Sequence, residues 1–318
     1  MRVEKGQKSV NATLIDMTHW PVADMFQGLF DDVRNGFCLP FPLHKGDTAL
    51  PDPSNRINLD YAPWKWTDVY SEHPLAAKVF LEASLSQGFL GPLRILQKML
   101  RGLIHIGPLR VVPNRSFVAK RDTNRSRWYD GQAGWDTFYH GSHALQQRVN
   151  QWFGAEHFNS NYQFSNAPLG YGVSLIDTRN SHSLLPSQVG AGISQVFPFV
   201  VAAMKDNIGI VSIEQPELHL HPAWQVELTD LMLVQANEYS SDKQFFVETH
   251  SEHMVLRLLK RIRNGQELAD SDTRQVQIIF CEVHDGETRI RAIGITPDGD
   301  FDTAWPNGFF EERNKELF

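Results

Sequence analysis

The stretch Ile208-Gly209-Ile210-Val211-Ser212-Ile213 is apolar, rich in β-branched residues and of strand length, and it stops at Glu214-Gln215-Pro216-Glu217-Leu218-His219-Leu220-His221-Pro222. A second run, Gln244-Phe245-Phe246-Val247, stops in the same manner, at Glu248-Thr249-His250-Ser251-Glu252-His253. Short apolar runs with acidic and imidazole ends are the pattern of buried parallel strands, and they constrain the fold more than any other feature of the chain. Between them, Pro222 to Glu238 reads as a helix, with Pro222 in the first turn, where a missing N–H is harmless. After the second run, Thr249-His250-Ser251-Glu252 has the form of a capping box, and Val255, Leu258, Leu259 and Ile262 recur at helical spacing. Asn264-Gly265 then stops that helix. Strand, helix, strand, helix implies a parallel sheet, with Val211, Ile213, Phe246 and Val247 in the core of adjacent central strands. Polar residues gather at the carboxyl ends of those strands, the edge where open α/β sheets bind ligands.

An apolar strand ending in a carboxylate is also what a nucleotide hydrolase uses to hold magnesium beside triphosphate oxygens. The two segments resemble the Walker B and switch-histidine segments of ABC-type ATPases, in the branch that contains the OLD, RecF and SMC-like bacterial ATPases. Val189-Gly190-Ala191-Gly192-Ile193-Ser194-Gln195 resembles that branch's signature loop, and Gly107-Pro108-Leu109-Arg110 resembles a segment upstream of it. Trp305-Pro306-Asn307-Gly308-Phe309-Phe310-Glu311-Glu312-Arg313 resembles a small C-terminal module of some members. The resemblance runs over residues 100–318 and implies ATP and Mg2+ as cofactors. It gives Glu214 the Walker B role of binding magnesium through water, and His250 the role of contacting the γ-phosphate. Gln215 stands where many such ATPases carry a catalytic glutamate; a carboxamide orients water but takes no proton from it. Glu217 is the acid that could substitute. Gly190, Gly192, Ser194 and Gln195 would face a nucleotide held by the opposite subunit, because the family's units pack head to tail. The implied partners are ATP and either a second copy of the chain or a chain bearing a P-loop.

That family needs G-x-x-x-x-G-K-[ST], whose amides and lysine cradle the β- and γ-phosphates. Nothing in the 318 residues matches it, and Gly6-Gln7-Lys8-Ser9 lacks both the glycine before the lysine and a preceding apolar strand. The chain therefore reads as α/β, a parallel-sheet P-loop NTPase (ABC-type) lobe lacking the Walker A segment, with a small C-terminal α+β module. Residues 1–99 read as an irregular or helical N-terminal region, 100–265 as the ATPase lobe, and 266–318 as a hairpin and closing helix. Three functions stand against one another. One is an ATP-binding and ATP-hydrolysing component, half of a split or truncated ATPase in DNA repair or defence, active only if a P-loop comes from elsewhere. Another is a degenerate, non-catalytic interaction module of the same fold. The last is a metal-dependent hydrolase or nuclease, for which Glu217, His219 and His221 offer imidazole and carboxylate ligands. Those three share a face only if extended, and Pro222 starts a helix at once.

Elsewhere the signals are local. Short helices are expected near Ala23–Asn35, and one or two amphipathic helices over Leu75–Leu103, interrupted at Gly88–Pro92. Leu103-Ile104-His105-Ile106 reads as a strand, Ser142 to Phe153 as a helix, and Tyr162 to Leu185 as a strand pair. Arg115, Lys120, Arg121, Arg125 and Arg127 lie near Phe117, Trp128 and Tyr129, a mixture that can hold single-stranded nucleic acid, DNA among the candidates, by charge and stacking. Asp122 and Asp130 dilute that charge, and a solvated loop explains it as well. Val276–Val283 and Glu287–Ile293 form a hairpin around Asp285-Gly286, and Asn307 onward reads as a helix.

The net charge of −7 excludes a general nucleic-acid coat, and 42% hydrophobic with 21% charged residues describes an ordinary globular chain. Only Cys38 and Cys281 occur, no stretch approaches bilayer-spanning length, and no signal-peptide core opens the chain. The expectation is a cytoplasmic protein with no membrane contact.

Overall fold

The computed structural model describes residues 2–5, 9–13, 38–42, 56, 74–114, 116–121, 126–166, 172–206, 208–237, 243–265, 276–284 and 286–303. The regions Ala23–Asn35 and 304–318, with the expected helices and the tail motif, fall outside them. The chain divides into two compact units, Met1–Arg101 and Gly102–Phe318.

In the first unit, β1 (Arg2–Lys5), β2 (Ser9–Thr13) and β3 (Cys38–Pro42) form an antiparallel sheet in that order. The sequence reading of this region as irregular or helical missed these strands. Pro40 and Pro42 look like turn residues, but β3 is an edge strand, where a proline forfeits no ladder bond. The helical stretch forms as α1 (Pro74–Leu85), a π-helical turn Ser86–Leu90, and α2 (Gly91–Arg101), so the expected interruption is a change of winding.

The second unit is built on β4 (Leu103–Ile106), β8 (Ile210–Glu214) and β9 (Gln244–Glu248), all parallel, with β8 in the middle. Ile104, Val211 and Phe245 are register partners, as are Ile106, Ile213 and Val247, so these six line one face. That face packs on α6 (Ala191–Met204), which packs in turn on α4 (Gln132–His140) and α5 (His143–Phe153), with Trp135, Phe138, Phe153, Phe197 and Phe199 at the centre. Trp135 and Phe164 both stack on Phe197. A Cβ on Gly134 would stand 2.6 Å from the Cα of Pro198, so this glycine lets α4 and α6 approach. The preceding helical turn α3 (Ser126–Tyr129) buries Trp128.

The other face of the sheet corrects the expectation for Phe246. It is 57% exposed, and His105, Ser212, Glu214 and Glu248 on the same face are also open or partly open to solvent. An apolar run shows that a strand is buried, but not on how many faces; here one face carries the core.

α7 (Pro222–Asn237) and α8 (Glu252–Arg263) follow β8 and β9 as expected, and Asp230 of α7 pairs with both Arg257 and Arg261 of α8. A small antiparallel sheet of β5 (Tyr162–Asn166), β6 (Val173–Asp177) and β7 (Ser183–Leu184) replaces the expected strand pair. The expected hairpin forms from β10 (Ile278–His284) and β11 (Glu287–Ile293). Ile295 just beyond it joins Leu259 and Ile262 of α8 in a satellite core, with Ile278 packed against them.

Candidate functional site

Glu214 and Glu248 end neighbouring parallel strands as register partners, so their side chains leave the same face at the same edge. The chain leaving β8 folds back tightly. Gln215 and His219 both adopt left-handed backbone, φ 44° and 63°, and the Gln215 N–H donates to the Glu248 carbonyl at 2.8 Å. Left-handed residues other than glycine cost about 1 kcal/mol or more each, and such strain persists only where surrounding contacts hold it.

Those contacts come from both sides. Glu217 accepts the Thr249 hydroxyl at 2.8 Å and the His250 N–H at 2.7 Å, so its carboxylate clamps the turn after β9 to the turn after β8. This also corrects the capping box. Thr249 is drawn away to Glu217, and Ser251 caps α8 by accepting the Met254 N–H at 3.1 Å. His250 is exposed. On the other side, a Cβ on Gly192 would stand 2.7 Å from the His219 carbonyl oxygen, so only glycine lets the first turn of α6 lie against this loop.

Glu214 itself faces β4. His105 Nε2 lies 3.1 Å from Glu214 Oε1, and His105 Nδ1 lies 3.2 Å from the Ser212 hydroxyl. The Tyr129 ring, half exposed, sits 5.6 Å from the His105 ring. Glu214 keeps about a third of its side chain open to solvent. Magnesium takes one or two protein carboxylates and fills its shell with water and phosphate oxygens, so the oxygen donors at this edge fit that ion. They fit a three-ligand metal site less well. Glu217 is turned to Thr249 and His250, His221 Nδ1 accepts the Ala223 N–H at the start of α7, and the described residues hold no cluster of three His, Cys, Asp or Glu side chains.

Behind the edge lies Arg110, 4% exposed. Its Nε donates to the Gly107 carbonyl at 2.9 Å, and its Nη2 donates to the carbonyls of Glu214 at 2.5 Å and Gln215 at 3.4 Å. Its N–H donates to Gln195 Oε1 at 3.2 Å, and its own carbonyl accepts Gln195 Nε2 at 2.6 Å. Burial pulls its guanidinium down to about 10, opposed by the negative charges of Glu217 and Glu214, so it stays cationic at neutral pH.

The residues of 189–195 therefore part company. Gly190 and Ala191 are exposed, and Gly192 is partly so. Ser194 is fully buried, its hydroxyl donating to the Pro186 carbonyl at 3.2 Å, and the Gln195 amide is committed to Arg110. The basic segment is divided too. Arg115 and Arg125 lie outside the described residues, and Lys120 and Arg121 are exposed. Arg127 grips buried Asp136 through Nε at 3.0 Å and Nη2 at 2.7 Å, and Trp128 belongs to the core. Sequence reasoning missed His105, Glu248 and the bonds of Arg110. Two of them left a signal: Glu248 is the acid that ends the second apolar run, and Arg110 closes the Gly107–Arg110 segment that the resemblance singled out.

The sequence model of a family described as "AAA domain, putative AbiEii toxin, Type IV TA system" matches residues 40–255. A solved structure from work on ATP-driven dimerization and DNA-stimulated activation of SMC ATPases is similar at 15% identity with a TM-score of 0.35, over 55% of this chain and 91% of that one. No curated protein matches. No helix among the described residues is long and apolar enough to cross a membrane.

Proposed function

This chain belongs to that family of AAA domains, and from that premise we propose that it is the acid- and imidazole-bearing lobe of an ABC-type ATPase of the OLD, RecF and SMC-like branch. The observation that carries the proposal is the joined strand-end loops. Glu217 and the Gln215 N–H lock the loop bearing Glu214 to the loop bearing His250, at the carboxyl edge of adjacent parallel strands. In this reading Glu214 holds the magnesium, which supplies charge neutralisation to the phosphates. His250, kept at the surface by the Glu217 clamp, donates to the terminal phosphate. Gln215 orients a water without taking its proton, so hydrolysis is slow. Glu217 is a clamp rather than a substitute base, since both of its oxygens already accept hydrogen bonds. No G-x-x-x-x-G-K-[ST] occurs in the sequence, so the phosphate cradle comes from another segment or chain.

The second reading, a non-catalytic module of the same fold, is favoured by one observation, the carboxamide at Gln215. Hydrogen exchange with and without millimolar Mg-ATP separates the two. The ATPase reading expects protection confined to the amino end of α6 at 190–193 and to 215–220 and 249–251, lost in Glu214→Ala. Protection elsewhere, or protection that survives Glu214→Ala, overturns it; no protection once a P-loop chain is supplied favours the module.

A further inference from the structure

Arg110 is a buried cation that no carboxylate among the described residues touches. Among the described contacts, every partner of its guanidinium is a backbone carbonyl: Gly107 in its own loop and, from two segments far along the chain, Gln195 at 3.5 Å and the Glu214–Gln215 pair. A group that served packing alone would be better apolar, because a buried charge carries a desolvation cost that carbonyl dipoles offset only in good geometry. The guanidinium fork is the one side chain that donates in several fixed directions at once. Gln195 completes the arrangement by bonding the Arg110 backbone through both ends of its carboxamide.

We propose that Arg110 is a positioning residue that ties the amino end of α6 to the turn after Glu214. The Gln195 carboxamide fixes the Arg110 backbone, the guanidinium fixes the carbonyls of Glu214 and Gln215, and those carbonyls fix the left-handed Gln215. A displacement of α6 by anything that binds its exposed amino end is thereby delivered to the Glu214 loop. The close approach of Gly192 to the His219 carbonyl joins the same two segments, and Gln195→Leu leaves that approach untouched. It rests on the ATPase reading only for its purpose.

Hydrogen exchange without nucleotide tests the link, so its failure and that of the ATPase reading are distinguishable. Gln195→Leu removes both carboxamide bonds to Arg110 while touching neither Glu214 nor Gln215. The expected result is exchange about tenfold or more faster at the amides of Gln215 and of residues 217–220, since two hydrogen bonds are lost at the start of the path. Arg110→Lys keeps the charge and removes the fork, and it should give the same local acceleration. Faster exchange confined to Arg110 and the first turn of α6 overturns the proposal. So does wild-type behaviour of Arg110→Lys, which would make charge alone sufficient. Uniform acceleration through α7 and α8 also overturns it, since Arg110 would then be a general support of the core.

Discussion

Replacing Glu217 by alanine should loosen the clamp between the two strand-end loops, and the structure sets the size of the effect. Two hydrogen bonds to a carboxylate are lost, from the Thr249 hydroxyl and the His250 N–H. Bonds to charged groups contribute about 1.5–3 kcal/mol each when buried. Glu217 and Thr249 are only partly buried and His250 is exposed, so water replaces much of the loss. A total of about 1–2 kcal/mol is the reasonable expectation, a fall in melting temperature of about 3–6 °C for a unit of this size. Glu217→Gln should retain part of it: its carbonyl oxygen can still accept the His250 N–H, whereas its amide meets a Thr249 oxygen already accepting the Ser251 N–H at 3.0 Å. Thermal unfolding gives the total, and exchange at 249–251 gives the location. An unchanged midpoint together with unchanged exchange at His250 in Glu217→Ala would refute the clamp.

The one-sided sheet predicts that Phe246→Ala costs under about 1 kcal/mol while Phe197→Ala, at a fully buried ring, costs about 3–5 kcal/mol, read from denaturant midpoints. Arg127→Ala leaves Asp136 buried with the Lys120 N–H but without its cationic partner and should cost about 3 kcal/mol, whereas Lys120→Ala and Arg121→Ala should leave the midpoint unchanged. If either exposed residue proves as costly as Arg127, the division of the basic segment is wrong. Calorimetry on this chain alone should find Mg-ATP binding no tighter than about 1 mM, because no phosphate-cradling motif is present; micromolar affinity would reveal a cradle of another form.

What the sequence disclosed was the local part of the fold. β8, α7, β9 and α8 follow from periodicity, proline placement and the Asn264-Gly265 stop, all of which act within a few residues. The β10–β11 hairpin was legible for the same reason. What stayed hidden depends on partners far along the chain. Thr249 would cap α8 were it not claimed by Glu217, 32 residues earlier. Arg110 looks like an ordinary loop cation until Gln195, 85 residues later, and Glu214 close around it. Phe246 and Phe245 are the same residue type one step apart, and only the strand's register decides which of them meets Phe199 and the core.

The inward turn of Ser194 and Gln195 also decides how a head-to-tail assembly can be tested. In the proposed arrangement, the amino end of α6 from one subunit completes a nucleotide site whose Glu214 and His250 belong to the other. An arginine at position 194 would destroy the core before it met a nucleotide, because that side chain is fully buried. Gly190 is the usable position. It is exposed, a Cβ there meets nothing within 4 Å, and its φ of −56° suits any residue. Gly190→Glu therefore leaves the fold intact, stabilises the helix end as a carboxylate does, and repels a phosphate approaching it. With the P-loop chain supplied, Gly190→Glu alone and Glu214→Gln alone should each be inactive. An equal mixture places both lesions in one composite site of each mixed dimer and leaves the other site whole. Random assembly makes half the dimers mixed, so about a quarter of the wild-type activity should return. Full assembly with no recovered activity would mean that α6 and Glu214 serve a site within one subunit, and the head-to-tail arrangement would be wrong.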